Sequence, residues 1–293
     1  KPYFTFPTLA SNCAPITRIA VFYKEDGSAD TYFIPAELPV HTFIDTQIIA
    51  ESPDEYFWAG IGDAFSKGPE VELSSREVEL LHSPLMGRAL AAGACIEPLF
   101  ENAEQALADK RSSVVSEAFE NVVLNIIVTA GIVSNMTTNL GAERGAYYFN
   151  SSTAHAFYNA FTALGERGEK HLHGEVVSFG TCVLYAFDGN LKALEEQVAL
   201  NRKLGLPTTL ADLDITSESV DADLDIIVER AQKTNEWGRA PYGFTTDRFR
   251  QAILDTDAYG RAVAAGDKDQ ETAALDVIAA HAPSAETAVP RKM

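Results

Sequence analysis

Two of the chain's six histidines fall in apolar surroundings, where a ring with a lone pair finds few ordinary partners. His155 lies in STAHAFYNAFTALG, and His173 opens HGEVVSFGTCVL; both runs read as helices. Histidines on adjacent antiparallel helices can converge on a divalent ion, and a carboxylate from a third element completes such a set. Asp63, between Gly62 and Ala64 in AGIGDAFS, is a candidate, because a carboxylate in apolar surroundings is costly unless paired or metal-bound. Two histidines and one carboxylate suit Zn²⁺, or a non-haem Fe²⁺ with open positions. Spacing alone leaves the plainer reading in place, since a lone histidine on an apolar helix is more often a hydrogen-bonded core residue. His171, two residues before His173, offers a swapped ligand.

The elements that would position these residues form a lopsided layout. Residues 1–49 are β-rich, with strand candidates at 3–9, 18–23, 31–34 and 40–45, and a turn at Glu25-Asp26-Gly27-Ser28. Ser52-Pro53-Asp54-Glu55 reads as a capping box with proline at the first helical position. From there the pattern is helical: a long, apolar and therefore buried helix at 112–134, then helices at 153–164, 174–187, 191–204, 219–233 and 246–265. The pattern divides the chain into a short β segment at 1–50 that looks like the remainder of a sheet, a helical domain at 51–281, and a frayed tail at 282–293.

Composition narrows the function classes. The 293 residues carry a formal net charge of −19, which argues against nucleic acid or an anionic membrane as partner. No unbroken apolar run of membrane-spanning length is present. Cys13, Cys95 and Cys182 are far apart and odd in number, so a disulfide framework is not expected and a reducing, cytoplasmic setting is.

PTLAS at 7–11, AGIGDAFS at 59–66, STAHAFYNAFTAL at 152–164, HGEVVSFGT at 173–181 and LGLPTTLADLDI at 204–215 resemble the glycerol dehydrogenase-like branch of the iron-containing alcohol dehydrogenases. The similarity runs in order over residues 1 to about 265. It implies the dehydroquinate synthase-like fold of that family, here an α/β remnant plus an all-α domain lacking most of the N-terminal Rossmann-like part, with residues 1–50 the C-terminal part of the α/β dinucleotide-binding domain, 51–281 the helical metal-binding domain and 282–293 a flexible tail. No Gly-Gly-Gly-Lys-type phosphate turn is found in the chain; Gly60-Ile61-Gly62 and the Gly87 to Gly93 stretch fall in helical contexts. The resemblance implies a metal set of Asp63, His155 and His173, with zinc first and iron, manganese or nickel as alternatives. His173 is preferred over His171 because Gly174-Glu175 completes the family signature.

The resemblance further implies a small-molecule substrate, NAD or NADP as cofactor, and a homo-oligomer. Thr8 and Ser11 would lie near the phosphates and nicotinamide, and Thr17, Ile19, Val21 and Tyr23 along the nicotinamide side. Two departures fall at the substrate end. Cys13 stands where family glycerol dehydrogenases carry an Asp, and Tyr158 where they carry a second His. A thiol in place of a carboxylate removes repulsion toward an anion, which resembles the hydroxycarboxylate dehydrogenase members and implies a small 2-hydroxy or 2-oxo acid. Arg18 and Lys170 are candidate grips for its carboxylate, with Cys13 alongside. His171, Tyr158 or water would relay the proton. Alternatives are a glycerol or polyol dehydrogenase, a non-redox dehydroquinate synthase-like enzyme, and an inactive metal-binding fragment.

Overall fold

A computed structural model describes residues 2–25, 27–33, 37–139 and 145–283. The N-terminal segment holds less strand than its composition predicts. β1 (Phe4–Thr5) pairs in parallel with β4 (His41–Thr42), while β2 (Ala20–Tyr23) and β3 (Ala29–Phe33) form an antiparallel hairpin with a bulge at Phe22/Tyr23. The 3–9 strand stops at Thr5 because Pro7 offers no ladder N–H. The predicted turn closes through Lys24 N to Ser28 O (2.9 Å) and Gly27 N to Lys24 O (3.0 Å), with Gly27 at φ 77°. Asp26 of that turn, Ile34 of the third strand and residues 284–293 of the tail lie outside the described residues.

Helix begins earlier than expected. Asp45 ends the fourth strand by capping α1 (Thr46–Glu51), accepting from Gln47 N at 3.0 Å. The predicted capping box does not form. Ser52 closes α1 instead, its hydroxyl donating to Ile49 O at 2.7 Å, and Pro53 takes the cap position of α2 (Asp54–Ser75). Asp54 and Glu55 then face the positive end of the α2 dipole.

After α3 (His82–Ala92) and α4 (Glu97–Arg111), the predicted helix at 112–134 starts later and runs further. Ser113 (φ 53°) breaks the chain, and Ser116 caps α5 (Glu117–Leu124), which continues through a π turn (Asn125–Thr129) into α6 (Ala130–Thr137). This helix is not buried all round, since Leu124 and Ile132 face solvent. By length and composition it could cross a membrane, contrary to the reading from unbroken runs, and just over half of its apolar window is buried, α5 against α4 and α6 against α3. An unpredicted pair, β5 (Thr138–Asn139) and β6 (Tyr147–Tyr148), leads into α7 (Thr153–Phe161) and α8 (Glu166–Lys170). Then follow α9 (His173–Asp188), α10 (Leu191–Leu204), α11 (Val220–Ala231), α12 (Thr246–Ala265) and α13 (Lys268–His281).

Two large apolar cores form among the described residues, beside two smaller clusters. One gathers Phe157, Phe179, Phe187 and Phe249 from α7, α9 and α12; the other gathers Phe57, Phe65, Leu99 and Phe119 from α2, α4 and α5. Between them α2 and α9 touch nearly backbone to backbone. A Cβ on Gly62 would lie 2.4 Å from Gly174 O, and one on Gly174 would lie 1.8 Å from Ala59 O. That contact brings the first residue of α9 against the middle of α2, where the candidate ligands stand.

Candidate metal centre

One stripe of α2 carries Asp63, Lys67 and Glu70, spaced so that all three share a helix face. His155 comes from the first turn of α7, and His173 is the first residue of α9. His173 Nε2 lies 2.9 Å from Asp63 Oδ1, and His155 Nε2 lies 3.6 Å from the same oxygen. One ligand atom from each of the three falls within 4.8 Å of the others. The three residues named from sequence are therefore brought together. Their donor set, two imidazole nitrogens and one carboxylate oxygen, fits a divalent ion with open positions.

Glu70 holds this arrangement from behind and was missed in the sequence. It is fully buried; one carboxylate oxygen meets His155 Nδ1 at 2.6 Å, and the other accepts from the backbone N–H of Ser152 (2.8 Å) and His155 (2.9 Å). An anion at the start of α7 is favoured by the helix dipole, and its bond to Nδ1 leaves Nε2 free to ligate. Burial alone would lower the His155 pKa, but the charge and hydrogen bond of Glu70 outweigh it and raise it. Burial would likewise raise the Asp63 carboxyl; His173 above all, with His155 and Lys67, holds it at about 2. Its i, i+7 spacing from Asp63 was the available signal for Glu70.

The triad opens on a cavity of about 170 Å³. Thr17, Ile19, Val21 and Tyr23 line it from the hairpin side, as does Cys13, whose thiol is pushed up by burial. Tyr158 lines it too; its hydroxyl lies 3.2 Å from that of Tyr23, and its ring meets His173 edge-on at 4.2 Å. Thr8 and Ser11 line a neighbouring open cleft that shares Asn12 and Ala14 with the cavity.

Three candidates do not line the cavity. Both ring nitrogens of His171 are taken, Nδ1 by Glu175 (2.9 Å) and Nε2 by Asp214 (3.1 Å), so it is neither a swapped ligand nor a wall residue. Lys170, largely exposed, donates to Asp214. Arg18 is likewise absent from the described lining. Among that lining the one Lys or Arg is Lys67, which sequence reasoning passed over. Tyr148, Ser151 and Asn159 were missed as well; behind them the buried Glu236 accepts from the hydroxyls of Tyr148 (3.1 Å) and Ser151 (3.0 Å).

No protein-family model matches the chain. It is 33% identical over 265 residues to a glycerol dehydrogenase of Escherichia coli O6:H1, covering 89% of this chain and 68% of that one. It is 29% identical to hydroxycarboxylate dehydrogenase A of Escherichia coli K12, covering 88% and 69%. The solved structure of a probable glycerol dehydrogenase from Sinorhizobium meliloti 1021 superposes with a TM-score of 0.79 at 28% identity, covering 89% and 71%. The helical domain and its hairpin thus have the dehydroquinate synthase-like architecture of metal-dependent alcohol oxidoreductases. The chain belongs to the glycerol dehydrogenase-like branch of the iron-containing alcohol dehydrogenase family, whose members act on CH–OH groups.

Proposed function

We propose that Asp63, His155 and His173 hold a divalent metal, zinc first, and that the site interconverts a small 2-hydroxy acid and its 2-oxo counterpart with NAD(H). The observation that carries the metal assignment is the convergence of three ligand atoms on the wall of a cavity, one of them oriented by a buried carboxylate. A bound ion supplies Lewis-acid polarisation of the substrate oxygen, and the nicotinamide supplies the hydride. The protein's own residues do the rest. Glu70 fixes the His155 ring, and Thr17, Ile19, Val21 and Tyr23, on and just before the hairpin, form the wall for the nicotinamide. Thr8 and Ser11 line the cleft through which the rest of the cofactor would run. The Tyr158 hydroxyl, its pKa raised by burial and by Tyr23, keeps its proton and faces the cavity; it can pass one on through Tyr23. His171, with both nitrogens engaged, is left out of the relay.

A polyol substrate is the second reading, favoured by the glycerol dehydrogenases among the relatives. Cys13 in the wall, where the resemblance implies an Asp, weighs against it. The single cation in the lining weighs against a phosphorylated sugar acid. The three free cysteines suit a reducing, cytoplasmic setting. Metal analysis of the purified protein tests the assignment: about one ion per chain is expected, and His173→Ala abolishes both the ion and carbonyl reduction. Full activity in a metal-free preparation would overturn it.

A further inference from the structure

The α2 stripe contains a cation that is not one of the metal ligands. Lys67 is 5% exposed and lines the same cavity as the three ligands. Its ammonium donates to Asn150 Oδ1 at 2.7 Å and to Asn150 O at 3.2 Å, both neutral acceptors. An ammonium has three N–H donors, so one remains. No ion pair to Lys67 exists among the described residues, and the nearest acids on its own helix face, Asp63 and Glu70, are turned onto His173 and His155. Its charge acts through space on Asp63 and Glu70 but bonds to neither, and a buried N–H donor left without an acceptor is costly unless a ligand supplies one.

The charge balance of the loaded site points the same way. On the α2 stripe and its metal, two carboxylates, one ammonium and a divalent ion sum to one positive charge, which a monoanion can meet; the further carboxylate, Glu236, lies behind Tyr148 and Ser151 and is bonded to them. We propose that Lys67 anchors the substrate carboxylate and so selects 2-oxo and 2-hydroxy acids over neutral carbonyls and alcohols. This assigns to Lys67 the role that the sequence offered to Arg18 and Lys170, and it rests on the oxidoreductase reading above. Asn150, which lines the same cavity, takes two of the ammonium's donors and leaves the third N–H for the acid.

The test compares pyruvate with its neutral methyl ester, using NADH and the zinc-loaded full-length protein. The expected wild-type preference in kcat/KM for the acid is roughly 100-fold, the scale of a desolvated charge-assisted hydrogen bond. Lys67→Gln brings the acid-to-ester ratio close to one, mainly through KM for the acid, and Lys67→Arg retains part of it. Calorimetric binding of oxamate, which is not reduced, weakens by a similar factor in Lys67→Gln at unchanged zinc content. A wild-type ratio near one overturns the assignment. So does a Lys67→Gln variant that loses acid and ester turnover equally, since Lys67 would then only brace Asn150. If Lys67→Gln does not fold, the wild-type ratio and Lys67→Arg decide. Reduction of the ester without preference leaves the oxidoreductase reading standing and removes this one; reduction of neither compound by zinc-loaded protein removes both.

Discussion

Glu70 has no exposed surface, yet its carboxylate serves both a histidine ring and the first amides of α7. Glu70→Gln keeps the shape but loses the charge behind His155. Metal affinity, measured by competition with a chelating dye, is expected to fall about 10- to 100-fold; an unchanged affinity would show that Nε2 needs no such partner. The same pair makes metal uptake pH-dependent. His155 in the metal-free protein is raised above its unfolded value of about 6.5. Its protonated form therefore adds stability that is full below that value and is lost as pH rises through the raised one. The ion needs the neutral ring, so binding displaces the proton, and affinity climbs with pH across that window. Titrations in buffers of different ionisation enthalpy should show proton release below the raised value, and none well above it.

At the scale of elements, the contact of α2 with α9 decides whether the ligands meet. Gly174→Ala places a methyl group 1.8 Å from Ala59 O, so the helices must separate. A loss of about 1–3 kcal/mol is expected by denaturant unfolding, together with weaker metal binding, since His173 moves with α9. Much of this was legible in the sequence. AGIGDAFS and HGEVVSFG carry both the ligands and the small residues that let their helices approach, and the bounds of α10 and α12 follow from periodicity and caps. What stayed hidden were the charges that become buried. Lys67 and Glu70 look in sequence like the solvated face of a helix, and only the packing of α7 across α2 shows otherwise. Ser52 misled in a similar way, because a serine before Pro-Asp-Glu starts one helix or ends another according to what precedes it. The strands were overestimated because β-branched and aromatic composition promises a ladder only where a neighbouring strand exists to pair with.

At the scale of the whole molecule, a net charge of −19 is spread over a fold whose described helices are joined by ion pairs, Arg76–Asp188, Arg167–Asp223, Lys110–Asp54 and Lys203–Glu104 among them. Self-repulsion should weaken the compact state in dilute buffer, because screening reaches only over a Debye length. The melting temperature is expected to rise as NaCl goes from about 10 mM to about 1 M, over which that length shrinks about tenfold; a flat or falling curve would mean that the ion pairs dominate. The double duty of Glu70 reaches beyond the site as well. Because one carboxylate ties the ring to the opening turn of α7, removing the ion should be felt by backbone protons that never touch it. Deuterium uptake at the amides of Ser152 and His155 then becomes a gauge of occupancy, slow in the loaded protein and faster after chelation. The chain would thus report an empty active centre through the fraying of a helix end.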